Sequence, residues 1–408
     1  MNYIKYLFIL FFAVSFKLVA QSGCTDPQAS NYSPTATVND GSCVYAPTTQ
    51  AFNFMVNTIN VGSNSGIEWI NGNIYTFGDG GNPNAFYKID TTNGNISQNI
   101  TVTNYGNQDW EDITADTGFV YIGDFGNNNG NRTDLKILKI RKLDFVNNPS
   151  AVVSVTAQAI NFSYTDQTSF VVNTNTNYDC EAMISVGDSL YIFTKDRGDS
   201  KTRVYKLPKT PGTYPVSPYL NFNTNGKVTG ADYNPINNEV LLIGYKGGNM
   251  NSFIWYLSDF QSVDFFSGNK RRVELGNASY AWQTEGITFY NETSTHRIFI
   301  SCETNGIIAG IYYSDLDQIA GLRDLQKQNN ELKVYPNPSS NNFRIECTQT
   351  IKDIEVLSLE GKVIYSKKIG LSNTVINAID FTNTSGCYML KTTTKNYTDY
   401  KKLFVETK

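Results

Sequence analysis

The sequence predicts an all-β protein: a five-bladed β-propeller, with six blades as the alternative, followed by a small β-sandwich. Aromatic residues make up 13% of the 408-residue chain, with 26 Tyr and 24 Phe. Aromatic and β-branched residues favour pleated, half-buried strands, whereas Asn and Gly favour turns. The second observation is a sequence pattern that recurs between residues 50 and 320. The third is a separate strand-rich tail, residues 332–408.

The recurring pattern is a carboxylate next to an apolar residue, followed by a short apolar strand that ends in a polar residue. Its copies are residues 66–79, 109–124, 179–196, 229–244 and 283–303. Repeated multi-strand units indicate a propeller, in which each blade buries its faces against its neighbours and the ring must close. Residues 51–56 are predicted to close it as the outer strand of the last blade. The uneven spacing leaves six blades open, and an irregular pair of β-sandwiches is the other interpretation.

The second copy also allows its outer strands to be placed. Residues 135–140 are Leu-Lys-Ile-Leu-Lys-Ile and residues 152–155 are Val-Val-Ser-Val, so apolar side chains predominate in both. They are predicted as the third and fourth strands of the second blade.

Each copy carries one carboxylate at the same place in the pattern: Glu68, Glu111, Glu181, Asp232 and Glu285. If the copies are blades, these side chains converge at one mouth of the central channel. Two carboxylates 4 Å apart repel by about 4 kcal/mol in a surface-like dielectric. A cation with oxygen ligands offsets this repulsion, and Ca²⁺ suits a site without His or Cys. The sequence therefore predicts a calcium site there, with bound protons or basic partners such as Arg132 and Lys195 as alternatives.

The chain has a single histidine, His296, in a segment predicted to be an exposed hairpin turn. Ser-His-Asp and Cys-His machinery each need a His base, and zinc sites usually need His or several Cys. Any catalysis is therefore expected from carboxylates, with Glu111, Glu181 and Glu285 as the candidates. The net charge of −4 and the lack of a basic patch argue against nucleic acid as a partner.

A turn-rich loop in the second copy supplies most of the predicted ligand-binding residues. The predicted set is Asp124, Asn127, Asn128, Arg132 and Lys195. Gly and Asn permit positive φ and close backbone approach, so this loop is predicted to face a ligand. Arg132 would then reach an anion. The alternative is a hairpin in which Arg132 pairs with Asp109 or Asp112.

The first 20 residues have a basic start at Lys5, an apolar stretch and the small residue Ala20 at the end. This pattern predicts a secretory signal peptide, residues 1–20. A membrane span needs roughly 18–20 apolar residues; this stretch is too short for one, and no other apolar run in the sequence approaches that length. No integral membrane segment is therefore expected.

Six cysteines in an exported chain permit disulfides. Residues 21–46 contain the segments 23–27, Gly-Cys-Thr-Asp-Pro, and 39–43, Asn-Asp-Gly-Ser-Cys, and resemble a small cysteine-bracketed module of bacterial surface proteins. The resemblance implies a disulfide between Cys24 and Cys43, which would stabilise by roughly 3 kcal/mol in the chain-entropy model. Cys347 and Cys387 form a second candidate pair. The remaining two, Cys180 and Cys302, are expected to be buried thiols.

The tail has three sequence motifs. It opens with Val-Tyr-Pro-Asn-Pro at 334–338, continues with Gly-Cys-Tyr at 386–388 and ends with Lys-Lys-Leu-Phe-Val at 401–405. These motifs resemble the type A C-terminal sorting domain of the type IX secretion system in Bacteroidetes-type bacteria. The resemblance covers residues 332–408 and implies handling by that secretion machinery and a secreted or outer-surface-attached protein. On strand pattern alone, a carbohydrate-binding β-sandwich is the alternative. Residues 321–331 are predicted as a linker.

The central region, residues 47–320, carries several further motifs. They are Asp-Trp-Glu-Asp at 109–112, Asp-Phe-Gly-Asn-Asn at 124–128, Glu-Ala-Met at 181–183 and Thr-Gly-Ala-Asp at 229–232. These resemble a functionally uncharacterised family of bacterial propeller-like proteins. The Glu-Gly-Ile at 285–287 gives a looser similarity to esterase-like, phytase-like propellers. Neither resemblance implies a defined activity.

Three functional hypotheses follow for the propeller. We predict an extracellular binding module for an unknown ligand, with the carboxylate ring as a structural ion site or hydrogen-bond site that ties blade to blade. The alternative is a calcium-dependent phosphoester or ester hydrolase, or a glycosidase with paired carboxylates. In the third hypothesis each acid caps its own loop, and the ring has no joint role.

Overall fold

The computed structural model describes residues 20–58, 61, 63–247, 251–275, 283–290, 296–303, 308–316, 332–358, 362–380, 382, 384–394 and 398–406. The predicted signal peptide, apart from Ala20, and the predicted linker lie outside these ranges. The chain divides into two compact units, Met1–Ile319 and Ala320–Lys408. In the described ranges, no helix has the length and apolar character needed to cross a membrane.

The first unit contains strands β1 to β25, and the second contains β26 to β30. In chain order, β1 to β25 are Ser22–Gly23, Val38–Asn39, Thr48–Gln50, Asn53–Asn57, Asn64–Ile70, Asn73–Gly78, Ala85–Ile89, Ile96–Val102, Trp110–Ala115, Phe119–Asp124, Lys136–Arg141, Val152–Val155, Gln158–Tyr164, Cys180–Val186, Ser189–Thr194, Thr202–Pro208, Gly212–Val216, Pro218–Phe222, Lys227–Asn234, Glu239–Lys246, Asn251–Ser258, Asn269–Leu275, Thr284–Phe289, Arg297–Cys302 and Gly310–Asp315. Strands β26 to β30 are Lys333–Tyr335, Asn342–Leu357, Val363–Asn377, Gly386–Thr394 and Thr398–Val405. The 3₁₀ turns Lys142–Asp144 and Ala378–Asp380 follow β11 and β28.

Strands β3 to β25 form the five blades of a propeller. Each blade has an inner strand, and these are β5, β9, β14, β19 and β23. In each blade the first four strands, counted outward from the inner strand, are antiparallel neighbours. Each inner strand contacts the next, and β23 contacts β5, so the ring is closed. The closed ring confirms the five-bladed prediction over the six-bladed alternative.

Two blades take their outermost strand from the chain of the following blade. Strand β12 pairs in parallel with β8 of the first blade, and β17 pairs in parallel with β13 of the second. The prediction that residues 152–155 form the fourth strand of the second blade is therefore wrong, because β13 occupies that place. An open outer edge exposes unpaired N–H and C=O groups. The strand that comes from the chain of the next blade pairs with these groups.

The ring is latched by chain that precedes the first blade. Strand β4 pairs antiparallel with β25 and becomes the outer strand of the fifth blade. This confirms the prediction for residues 51–56. Strand β3 pairs in parallel with β22 at the outer edge of the fourth blade. A short N-terminal stretch thus joins two neighbouring blades.

A small N-terminal module, residues 21–46, leads into these strands. The disulfide between Cys24 and Cys43 is present. The module lies against the fourth blade, where Lys270 Nζ donates a hydrogen bond to the Gly41 carbonyl at 2.9 Å. The backbone contact is close, since a Cβ on Gly41 would lie 2.5 Å from the Ser267 carbonyl oxygen.

The single histidine lies elsewhere than the sequence suggested. His296 is only 7% exposed, and its Nε2 lies 3.4 Å from Glu239 Oε1. The prediction of an exposed turn is wrong for this residue, because it immediately precedes β24 and packs between the fourth and fifth blades.

Cys180 and Cys302 are buried thiols, as predicted.

The second unit is a β-sandwich-like domain. Its strand order is β26-β27-β29-β30, and β28 pairs with the other edge of β27. Strands β27 and β28 are long, with 16 and 15 residues. Phe343, Ile354 and Leu390 belong to its buried core. Cys347 and Cys387 are both thiols, so the second candidate disulfide is wrong.

Candidate functional site

The five blades share one register between their inner and second strands. In every blade a β-bulge interrupts this pairing near the start of the inner strand. The bulge places five residues at equivalent positions around the channel: Ser65, Glu111, Glu181, Thr229 and Glu285. Three of the predicted carboxylates therefore occupy one level of the ring. These are the three that the sequence named as catalytic candidates.

Glu68 and Asp232 do not belong to this level. Each lies three residues beyond the bulge position of its own blade, which is about 10 Å further along a strand that rises roughly 3.3 Å per residue. Ser65 and Thr229 occupy the positions that the sequence analysis assigned to these two acids. The prediction of a single five-carboxylate ring is therefore wrong. Glu68 and Asp232 occupy equivalent positions in their own blades. They therefore look alike in the repeat, although they lie at a different level from the other three acids.

The shared register also identifies acids that the sequence analysis missed. Asp109 and Asp179 directly precede their inner strands, and Asp79 and Glu303 directly follow their second strands. The same position after the second strand holds Lys195 in the third blade. We call the group formed by these residues and the bulge glutamates the acidic mouth. Its members are Asp79, Asp109, Glu111, Asp179, Glu181, Glu285 and Glu303, with the cations Lys195 and Arg197.

The cations of the acidic mouth are held on one side. Lys195 Nζ lies 2.5 Å from Glu181 Oε2, and Arg197 Nε lies 2.7 Å from Asp179 Oδ2. Arg197 Nη2 also lies 3.5 Å from Glu181 Oε1. Burial favours the neutral amine of Lys195, but the Glu181 carboxylate prevails and raises the pKa of Lys195 well above its ordinary value. Glu181 and Asp179 are thus neutralised by their own partners.

The other side of the mouth has carboxylates without cations. Asp79, Asp109 and Glu111 each offer an oxygen atom, and these three atoms lie within 4.8 Å of one another. Glu111 is 6% exposed, and in the described part of the chain its carboxylate makes no hydrogen bond or ion pair. Burial, followed by the charge of Glu181, raises the pKa of Glu111 well above its ordinary value. Burial and the nearby Asp79 raise the pKa of Asp109 to about 6.

Two glycines let the backbone approach these carboxylates. A Cβ on Gly126 would lie 2.1 Å from Glu111 Oε1 and 2.5 Å from Asp109 Oδ2. A Cβ on Gly80 would lie 2.3 Å from Asp109 Oδ1. A side chain at either position would require these carboxylates to move. The three oxygens are therefore confined to a small, crowded space.

The predicted ligand-binding loop is engaged in its own contacts. Arg132 Nη2 lies 3.0 Å from Asp124 Oδ1 and its Nη1 donates to the Gly126 carbonyl at 2.8 Å. The Asn127 backbone N–H donates to Asp179 Oδ1 at 2.6 Å. The side-chain oxygen of Asn128, Oδ1, accepts a hydrogen bond from the Arg197 guanidinium. A ligand-binding role for these residues stays a prediction. Through Asn127 and Asn128 the loop makes hydrogen bonds to Asp179 and Arg197 of the acidic mouth.

The deeper acids join neighbouring blades. Asp112 Oδ2 accepts from the Met183 N–H at 2.7 Å, and Asp232 Oδ2 accepts from the Phe289 N–H at 2.7 Å. Both bonds run from one inner strand to the next. Metal binding by Asp232 and Glu68 stays a prediction, but the Asp232 carboxylate already has backbone partners. Glu68 Oε2 is buried and makes no hydrogen bond in the described residues.

Comparison with known proteins identifies the tail. Residues 333–406 match the family described as "Secretion system C-terminal sorting domain". This agrees with the resemblance inferred from the sequence motifs. The protein is therefore sorted for secretion and is either released or attached to the outer surface.

Solved structures with a similar chain course share little sequence with this protein. They include PorZ, an essential bacterial surface component of the type-IX secretion system of Porphyromonas gingivalis, with 10% identity over 84% of this chain and a TM-score of 0.31. The chain spans 45% of that structure. Another is an exo-β-1,3-galactanase from Phanerochaete chrysosporium with β-1,3-galactotriose, with 11% identity, coverage of 90% and 97%, and a TM-score of 0.40. AztD from Citrobacter koseri has 8% identity, coverage of 77% and 74%, and a TM-score of 0.26.

None of these likenesses is strong enough to transfer a function. Among curated proteins, none matches this chain. The class that the fold and the tail define is an exported β-propeller protein with an acidic mouth.

Proposed function

We propose that this protein is an extracellular binding module whose acidic mouth holds a divalent cation, Ca²⁺ before others. Asp79, Asp109 and Glu111 are the ligands in this proposal, and the observation that carries it is the convergence of their carboxylates within 4.8 Å, with no ion pair to any of the three among the described residues. Three close carboxylates without a cation repel one another, and burial strengthens that repulsion. A bound cation offsets the repulsion between the carboxylates and also stabilises their charged form in the buried site.

The donor set favours calcium. Carboxylate oxygens are hard ligands, and Ca²⁺ takes 6–8 oxygens in flexible geometry. Three side chains supply part of such a shell, so water or a bound ligand would supply the rest. The open coordination positions would recruit a ligand that offers carboxylate, phosphate or hydroxyl oxygens. Export delivers the site to surroundings in which calcium can be plentiful.

Thermal unfolding in calcium and in chelator tests this proposal. A ligand present at 100 times its Kd stabilises a folded protein by roughly 2.7 kcal/mol, so calcium should raise the Tm by a few degrees. Glu111→Gln should abolish the rise, because it removes one charged ligand while preserving shape. Glu274→Gln is the matched control, since Glu274 is a half-exposed residue of β22 paired with Arg272. An identical Tm in calcium and chelator for the unaltered protein would remove the proposal.

Hydrolysis is the second candidate function, and one observation favours it. Glu111 has a raised pKa, whereas its neighbour Glu181 is paired with Lys195. A carboxyl group whose pKa is raised, next to a carboxyl group held by a cation, is an arrangement that general acid–base catalysis uses. Turnover of aryl glycosides, phosphoesters or aryl esters that is lost in Glu111→Gln and retained in Glu274→Gln would establish it. Absence of turnover on all three substrate classes would exclude this candidate for them.

A further inference from the structure

A second concave site lies beside the acidic mouth. It is a cavity of about 420 Å³ in the segment between β13 and β14, bounded on its other side by Gly130 and Arg203. Its volume falls within the roughly 300–1,000 Å³ typical of small-molecule sites. None of the acidic-mouth residues lines it. It is therefore a site separate from that of the proposed cation.

The lining of this cavity is polar and electrically neutral. It consists mainly of hydroxyl and amide side chains, with Thr168, Asn173 and Asn175 among them, and it includes no carboxylate. The one charged group, the Arg203 guanidinium, is engaged by Asp196 and Asp199. The Thr168 hydroxyl and the Asn175 side-chain amide are exposed, and neither makes a hydrogen bond among the described residues. A neutral ligand with many hydroxyl groups suits this lining better than an ion does.

An aromatic residue in the cavity wall is fixed in place. The Tyr178 hydroxyl donates to the Asp166 carbonyl at 2.7 Å, and its ring lies 5.5 Å from that of Tyr164, centroid to centroid. Rigid aromatic rings give a large contact area at little entropic cost. The C–H faces of sugar rings pack on such surfaces.

The loop that forms the cavity is tied to the blades at several points. Gln167 Nε2 donates to the Gly130 carbonyl at 2.8 Å, and the Asn173 N–H donates to the Asn129 carbonyl at 2.8 Å. The Arg197 N–H donates to the Thr176 carbonyl at 3.0 Å. Because these bonds hold the loop from both sides, its backbone is positioned before any ligand arrives. Preorganisation of this kind raises affinity by reducing the entropy lost on binding.

The rim of the cavity is apolar and exposed. Phe170, Val171 and Val172 are 46%, 77% and 63% exposed. Three consecutive exposed apolar residues are costly to solvate and commonly mark an interaction site. Val171 also lines the cavity. An open hollow rich in hydroxyl and amide groups, with an apolar rim, is complementary to a carbohydrate, which has both kinds of surface.

We propose that this cavity binds a short stretch of neutral oligosaccharide. The hydroxyl and amide groups of Thr168 and Asn175 would bond sugar hydroxyls, and Tyr178 with the apolar rim would contact the ring faces. The site would bring a glycan to the edge of the acidic mouth.

Isothermal titration of the mature protein with cello-, laminari-, manno- and xylotetraose tests this inference, with trigalacturonate as the charged comparison. At least one neutral tetrasaccharide should bind. Combining Thr168→Ala and Asn175→Ala should weaken it about tenfold, as expected for two lost neutral hydrogen bonds. Asn147→Ala, an exposed Asn in the turn after Lys142–Asp144, should leave affinity unchanged. Val171→Ser should also weaken binding. Because Val171 is exposed, this change leaves the fold intact, so the test stays valid even if the double variant misfolds.

The outcomes separate this inference from the proposed cation site. Binding should persist in chelator and in Glu111→Gln. The inference is overturned if no neutral tetrasaccharide binds, or if only trigalacturonate does. Binding that is insensitive to both Val171→Ser and the paired alanine changes would also overturn it. Loss of binding in Glu111→Gln alone would place the sugar at the acidic mouth instead.

Discussion

Glu111 and Glu181 occupy equivalent bulge positions in neighbouring blades, but their surroundings differ. The position after the second strand holds Lys195 in the third blade and Phe125 in the second. Glu181 therefore has a cation at 2.5 Å, whereas Glu111 has an aromatic residue at the corresponding place. The same position in the first blade holds Asp79, which adds a further negative charge. One side of the mouth is thus self-neutralised, and the other side requires a cation or protons.

If the acidic mouth holds calcium as proposed, the pH dependence of binding follows from Asp109. Its pKa is raised to about 6, so a proton competes with the cation in mildly acidic solution. Calcium affinity should fall about tenfold between pH 7 and pH 5, and binding at pH 6 should release protons. Titration in buffers of different ionisation enthalpy measures both effects. An affinity that is constant over this range would rule out Asp109 as a ligand.

The stability of the cation-free protein should show the opposite trend with pH. A carboxyl whose pKa is raised on folding holds its proton more tightly in the folded state. The free energy of unfolding in chelator should therefore decrease as pH rises from about 4 to about 6, the interval between the ordinary and the raised pKa of Asp109. Calcium should reduce this loss.

Single residues of the site were only partly predictable from sequence. Glu111, Glu181 and Glu285 stood out because each lies next to an apolar strand start. Asp79 and Glu303 carry an equally simple signal, since each follows an apolar second strand. That signal has meaning only when the register between two strands is known. The same missing register caused Glu68 and Asp232 to be grouped with the wrong level.

At the scale of elements, the β-bulge shapes the site. An extra residue at the start of each inner strand turns the bulge side chain away from the regular alternation. The exchanged strands β12 and β17 could not be predicted, because a parallel partner in another blade leaves no local trace in the sequence. The latch strand β4 was predictable, since one blade lacked an outer strand and one segment was left over.

The N-terminal module should contribute to the stability of the latch. Its disulfide precedes β3 and β4, and Asn39 Nδ2 bonds both Asp259 and Asn269 of the fourth blade at 2.8 Å. Replacing Cys24 and Cys43 together by Ser should lower the free energy of unfolding of the propeller by roughly 3 kcal/mol. Calorimetry measures this loss, with Cys387→Ser as the control because Cys387 is a half-buried thiol of the second unit. An unchanged propeller transition would show that the module adds nothing to the latch.

At the scale of the molecule, the protein combines a closed ring with a sorting domain. The tail motifs predicted that domain from sequence because its address function depends on short local segments. The ring was predicted from its repeat, but its ligand was not, because specificity lies in the loops and in the differences between blades. The acidic mouth results from such differences, since five identical blades would place the same group at every position.

The most direct test of the central claim is a crystal structure of the mature protein grown with calcium, using anomalous scattering to locate the ion. We predict one ion at the acidic mouth, with oxygen atoms of Asp79, Asp109 and Glu111 at about 2.3–2.6 Å from it. A mouth without an ion in saturating calcium, or an ion bound by other residues, would contradict the account.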